Sequence, residues 1–217
     1  MIPWEVLATS AIGGKTFVLS RRGEDLMVRV DGQVLMTSRM QASEIALAEH
    51  GLAAHPAPRA ILVGGLGLGY TLRAVLDRAA PDAAITVAEL VPALVDAHRT
   101  VLAERTGGAL ADPRVTAAVG DVMTELRPAA WDVILLDVDN GPEALAQTSN
   151  DRLYGDAGIR RCHAALTARG VLVVWSAGPS DPYVRRLAKN GFAAEAVRVP
   201  ARPGGKANHV LFVAKKH

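Results

Sequence analysis

Short β-rich segments fill the first part of the chain, and longer blocks of alternating helical and apolar character fill the rest. Trp4 to Ala8, Thr16 to Ser20, Leu26 to Val30 and Gln33 to Thr37 have the length and composition of strands. Gly13-Gly14, Arg22-Gly23 and Asp31-Gly32 separate them, and the last pair is the strongest short hairpin signal. The expectation is a small antiparallel sheet. Such a sheet is too small to stand alone, so it must pack on the remaining chain or on a second copy. Ser43 to Leu52 then has helical spacing, with Ile45, Leu47, Ala48 and Leu52 on one face and Ser43 as the expected cap. Residues 1–42 are therefore expected as one unit and residues 43–217 as the other.

From Arg59 onward, apolar runs alternate with helical stretches. Ala60 to Val63, Ala84 to Ala88, Val115 to Val119, Trp131 to Asp137 and Val171 to Trp175 read as strands. Tyr70 to Ala79, Pro92 to about Glu104, a segment ending near Leu166, and Asp181 to Lys189 read as helices. Near-continuous apolar strands separated by helices belong to a parallel sheet covered on both faces. Two last strands, about Ala194 to Val199 and His209 to Ala214, flank Pro203-Gly204-Gly205 and should pair antiparallel. The predicted fold is α/β: a Rossmann-like, doubly wound, mostly parallel sheet with an antiparallel last strand, preceded by a small N-terminal antiparallel sheet.

The chemistry concentrates between Arg59 and Glu89. An apolar strand passes through Gly64-Gly65-Leu66-Gly67-Leu68-Gly69 into a helix, and the next strand stops at Glu89. Glycines at 65, 67 and 69 allow close approach of a ligand to the backbone, and the helix start offers unpaired N–H groups to the same spot. Glu89 follows at about the ~20-residue separation at which dinucleotide-binding folds place a ribose acid. A tight turn ending in a solvated carboxylate is the plain alternative.

Composition narrows the choice of function. The chain has 217 residues, half of them hydrophobic but only 4% aromatic, so its core is built from Ala, Val and Leu. A net charge of +2 gives no argument for nucleic acid as a partner. The single cysteine, Cys162, excludes an intramolecular disulfide and a Cys-based zinc set, and the histidines lack ligand spacing, so no metal is expected. No apolar run reaches the ~18 residues of a membrane span, and a cytoplasmic location is expected.

Three acid-bearing strand ends, Glu89, Gly120-Asp121 and Asp137, resemble the layout of class I S-adenosylmethionine-dependent transferases. That resemblance implies that Gly65, Gly67 and Gly69 line the amino-acid part of the nucleoside and that Glu89 holds the ribose hydroxyls. It places Asp121 at the adenine amino group, although Asp121 could equally cap a helical turn at Val122 to Leu126. Asp137 would face the reacting end. Over nearly the whole chain, the hairpins, Val30 to Arg39, the helix around Glu44, the glycine loop, Trp131 to Asp137 and Leu153-Tyr154 resemble the spermidine synthase family of aminopropyltransferases. The resemblance implies decarboxylated S-adenosylmethionine as co-substrate, an amine acceptor and a homodimer joined through the N-terminal region.

Several positions depart from that family. An acid near Gly67 is absent, and the catalytic Asp-Ser-Ser-Asp reads Asp137-Val138-Asp139-Asn140. A glutamine after the fifth strand is Trp175, and a Phe-Tyr pair falls on Gly158-Ile159. Asp137, with Asp139 second, is the expected base or amine partner; Tyr154 and Trp175 are expected at the acceptor pocket. Loss of diamine-binding groups keeps two further readings open. One is a methyltransferase using S-adenosylmethionine on a small molecule or RNA, and the other is a non-catalytic nucleoside-binding dimer.

Overall fold

The computed structural model describes residues 2–138 and 151–217. Four strands, β1 (Glu5–Ile12), β2 (Lys15–Arg22), β3 (Asp25–Val30) and β4 (Gln33–Thr37), form an antiparallel sheet in chain order. The β3–β4 turn places Asp31 at φ 49° and Gly32 at φ 80°, the left-handed pair that a two-residue hairpin needs. This sheet does not stand free. Leu19, Leu26 and Val28 are buried against Leu68, Val91, Leu94, Ala97 and Leu102 of the main fold, which supplies the apolar partner that a small sheet lacks.

The remaining elements are α1 (Ala42–Ala54), β5 (Ala60–Gly64), α2 (Tyr70–Leu76), β6 (Ala84–Glu89), α3 (Pro92–Arg99), β7 (Val115–Val119), β8 (Trp131–Leu136), α4 (Asp151–Tyr154), α5 (Asp156–Ala165), β9 (Leu166–Ser176), α6 (Asp181–Lys189), β10 (Phe192–Pro200) and β11 (Asn208–Lys216). They build a seven-stranded sheet in the order β10-β11-β9-β8-β5-β6-β7. β5 through β9 pair in parallel, while β11 runs antiparallel to both β9 and β10. The strand order reverses between β5 and β8, where an open α/β sheet leaves a crevice beyond the strand ends. No helix among the described residues is long and apolar enough to cross a membrane.

Three local expectations are corrected. α3 stops at Arg99 instead of continuing to Glu104, because Thr100 leaves the helical region at φ −125°, ψ −98° and the chain tightens into a short 3₁₀ turn over Glu104–Thr106. β9 begins at Leu166, five residues early, since Arg169 takes φ 64° inside the strand where the sequence reads as a turn. Ser43 is not the cap of α1; Gln41 stands there without a side-chain bond. The Ser43 hydroxyl is instead 2.8 Å from Nδ1 of His209 and accepts from Nε1 of Trp175 at 3.0 Å.

Candidate functional site

A cavity of about 350 Å³ opens at the carboxyl ends of β5, β6, β7 and β8. Gly65, Gly67, Glu89, Asp121 and Asp137 line it together, and Phe17, Leu35 and Met36 of the small sheet form an apolar wall. The backbone explains the glycines. At Gly65 (φ 90°) an added Cβ would come within 2.3 Å of the Asp137 carbonyl oxygen, so only glycine lets the ends of β5 and β8 approach. At Gly67 (φ 51°) it would come within 2.9 Å of Sδ and Cε of Met36. A thioether therefore occupies the space beside the loop that a side chain at 67 would need.

Glu89 is buried and binds the loop in front of it. Its Oε2 accepts from the N–H of Leu66 at 2.8 Å and of Gly67 at 3.4 Å, and its Oε1 accepts from Val91 N–H at 2.8 Å. Three backbone donors, two on Oε2 and one on Oε1, fix the carboxylate's orientation and leave a lone pair of Oε1 for a further donor. Asp121 accepts from Met123 N–H at 2.9 Å and so caps the 3₁₀ turn Val122–Glu125, while still lining the cavity. The capping and lining roles coexist.

Asp137 follows the last residue of β8. Its Oδ2 accepts from the Thr71 hydroxyl at 2.8 Å, and that hydroxyl oxygen lies 3.4 Å from the Glu44 carbonyl oxygen. Desolvation is the main force that pushes Asp137 up to about 6; the Thr71 bond opposes it and the Glu89 charge adds to it. Glu44, in the first turn of α1, is raised as well, by desolvation first and by the Asp137 charge second. Two carboxyls thus share one low-dielectric corner, and each holds its proton to a higher pH than a free carboxyl does. Arg152 is the one basic side chain among the described lining residues, against three carboxylates. The cavity favours a positively charged ligand.

Other expected residues lie elsewhere. Gly69 starts α2 and abuts His98 and Thr106, outside the cavity lining. Tyr154 is buried beneath the site, where its hydroxyl donates to the Val138 carbonyl at 2.8 Å and its ring meets Tyr183 edge-on. Trp175 donates to Ser43 and packs at 4.6 Å on His209, so it is held away from the described cavity wall. Asp139 lies outside the described residues. Glu44, Thr71 and Met36 carry no site signal in sequence. An acid in the first turn of a helix is ordinary dipole chemistry, and the other two read as core.

Comparison with known proteins adds a family. A family model described as the spermine/spermidine synthase domain matches residues 27–182. A polyamine aminopropyltransferase of Mycobacterium tuberculosis is 30% identical over 169 residues, 75% of this chain and 31% of that protein. Polyamine aminopropyltransferase 2 of Pseudomonas aeruginosa is 36% identical over 134 residues, 59% of this chain and 36% of its own length. The chain thus spans about a third of the length of these curated relatives. Among solved structures, a spermidine synthase from Thermotoga maritima superposes with TM-score 0.79 at 20% identity, covering 98% of this chain and 73% of that one. A spermidine synthase in complex with the transition state analogue AdoDATO gives TM-score 0.77 at 20% identity, with 98% and 72% covered. At that identity the likeness is one of fold.

Proposed function

Since the chain belongs to the spermine/spermidine synthase family, we propose that it transfers an aminopropyl group from decarboxylated S-adenosylmethionine to an amine acceptor. The observation that carries this reading is the convergence of Glu89, Asp121 and Asp137 on one cavity at the switch point of the sheet. Glu89 receives a ribose hydroxyl on the Oε1 lone pair that the backbone donors leave open, and Asp121 meets the adenine amino group. Gly65 and Gly67 let the nucleoside lie directly on the backbone.

In the step itself, the acceptor nitrogen forms a bond to the carbon on the sulfonium, the carbon–sulfur bond breaks, and the electron pair leaves with sulfur as a neutral thioether. One N–H proton must then go, and Asp137 takes it. Its raised carboxyl suits this task, because a base works best with a pKa near the working pH. Thr71 aims the carboxylate through its hydroxyl. Glu44 offers the second carboxyl of the corner, and a bound cation would offset the desolvation and the Asp137 charge that raise it.

The raised Asp137 sets the pH dependence. A base must be ionised to act, so kcat/KM is expected to rise with pH through about 6 and to fall tenfold per unit well below it. A pH–rate profile from 4.5 to 8.5 checks this. A flat profile across that range excludes Asp137 as the base.

A second reading, methyl transfer from intact S-adenosylmethionine, is favoured by one observation. Met36 presents a thioether beside Gly67, where the resembling enzymes carry an acid. Calorimetric titration with S-adenosylmethionine, its decarboxylated form and methylthioadenosine, each with and without putrescine, separates the two. We expect the decarboxylated ligand to bind best and to couple with an amine. Preference for the intact ligand transfers the reading to methyl transfer, and binding of none overturns both. Exposed Val6 and Val34 on the edge strands of the small sheet support a homodimer, the family reading supports a cytoplasmic protein, and the separate four-stranded sheet supports a division into units 1–42 and 43–217.

A further inference from the structure

His98 of α3 is buried, at 1% exposure, and does not line the cavity. Its Nε2 lies 3.0 Å from the carbonyl oxygen of Gly67. A carbonyl oxygen can only accept, so Nε2 carries the hydrogen and Nδ1 is left as a bare lone pair. That nitrogen is buried and has no hydrogen-bond partner among the described residues. Burial lowers the imidazole below its ordinary value, against the opposing pull of the Gly67 carbonyl, so the ring is neutral at physiological pH. A buried polar atom without a partner is a cost that a histidine chosen only to fill core would not need to carry, since an apolar side chain would avoid it.

The ring also shapes the next glycine. A Cβ at Gly69 would come within 2.6 Å of His98 Cε1 and 3.0 Å of Thr106 Cγ2. Gly67, which lines the cavity, is therefore held from two sides: its N–H points to Glu89 at 3.4 Å and its carbonyl to His98 at 3.0 Å. The two residues that hold Gly67, one through the peptide before it and one through the peptide after it, come from different elements, and one of them, Glu89, is itself a wall of the cavity.

We propose that His98 is a positioning residue for the nucleoside: as a neutral Nε2–H donor it turns the Gly67 carbonyl into the protein and fixes the glycine loop in the conformation that receives the ligand. This depends on the reading that the cavity binds an adenosyl group. Without the His98 bond the Gly67–Leu68 peptide is free to rotate, and the adjoining Leu66–Gly67 peptide, whose N–H contacts Glu89, is then held from one side only, so the loop loosens next to the ribose acid. The acceptor corner at Asp137 and Thr71 shares no hydrogen bond with His98. Its effect should therefore fall on nucleoside binding and spare the acceptor.

The test compares His98→Leu, which removes the donor, with His98→Gln, whose amide nitrogen can reach the place of Nε2. Methylthioadenosine affinity is measured by calorimetry, thermal melting reports folding, and KM is measured for nucleoside and acceptor separately. The native protein must bind methylthioadenosine first; if it does not, the nucleoside reading itself has failed. Given native binding, His98→Leu should weaken it about tenfold and raise the nucleoside KM with little change in the acceptor KM. His98→Gln should stay within about threefold of native. Equal affinity in His98→Leu and native protein, or a His98→Gln variant as weak as His98→Leu, overturns the proposal. Should His98→Leu not fold, imidazole ¹⁵N shifts of the native protein decide: an Nε2–H tautomer whose signal moves on nucleoside binding supports it, and an Nδ1–H tautomer rejects it.

Discussion

Replacing Asp137 by Asn should lower kcat by about a hundredfold to ten-thousandfold, the usual contribution of a positioned general base. The substitution keeps the shape of the side chain, and an amide oxygen can still accept from the Thr71 hydroxyl, now 2.8 Å away. What disappears is the negative charge and the proton acceptor. Because the group sits in a desolvated corner with Glu44 and Glu89, removing one charge there relieves repulsion instead of exposing a cation. Folding should therefore survive, and a melting curve near that of the native protein would show it. Methylthioadenosine is uncharged at sulfur, so its affinity should change little, within about threefold, while turnover collapses. The acid limb near pH 6 should vanish from whatever activity remains. A kcat within tenfold of native, or an acid limb that persists, would remove Asp137 from the chemistry and turn attention to Glu44 and to Asp139.

Replacing Glu89 should instead act on binding. Charge-assisted hydrogen bonds contribute about 1.5–3 kcal/mol each, so losing the ribose contacts should weaken nucleoside affinity about a hundredfold, or roughly 2.7 kcal/mol. Glu89→Ala removes both oxygens. It also strips the acceptor from the Leu66, Gly67 and Val91 N–H groups, so the loop relaxes as the ligand contact goes. Glu89→Gln is the sharper variant. Its amide can place an oxygen toward the glycine loop or toward Val91, but the nitrogen then meets a backbone donor on the other side, and a donor facing a donor repels. Affinity should fall in both variants, more in Ala, with acceptor KM unaffected at saturating nucleoside. Unchanged affinity for methylthioadenosine in Glu89→Ala would refute the ribose assignment.

Much of this architecture is readable from local pattern. β4 at Gln33–Thr37, β7 at Val115–Val119 and α6 at Asp181–Lys189 coincide with the stretches that strand composition, helical spacing and turn chemistry mark out. Local signals fail where a backbone irregularity is set by neighbours. Arg169, at φ 64° inside β9, falls in the bulge between the Trp131–Leu166 and Val133–Val171 pairs with β8, and the pairs on either side carry the strand through it. The glycine loop, Glu89 and Asp121 are legible as parts of one cavity at the strand ends because their spacing follows from strand, loop and helix lengths. Glu44, Met36 and His98 are not, since each meets the site from an element far away in the chain.

The amino-acid sequence by itself determined the order of elements, the parallel sheet, the glycine loop and the acids at the strand ends. These depend on periods of a few residues and on turn chemistry, which act between near neighbours. Only the tertiary structure decided which side chains share a corner. Folding brings Glu44 to Asp137 and Met36 to Gly67, draws Trp175 onto Ser43 and His209, and sets a half-satisfied His98 behind the loop. Desolvation and side-chain contact depend on what three-dimensional packing places within a few ångströms, and no spacing along the chain encodes that distance.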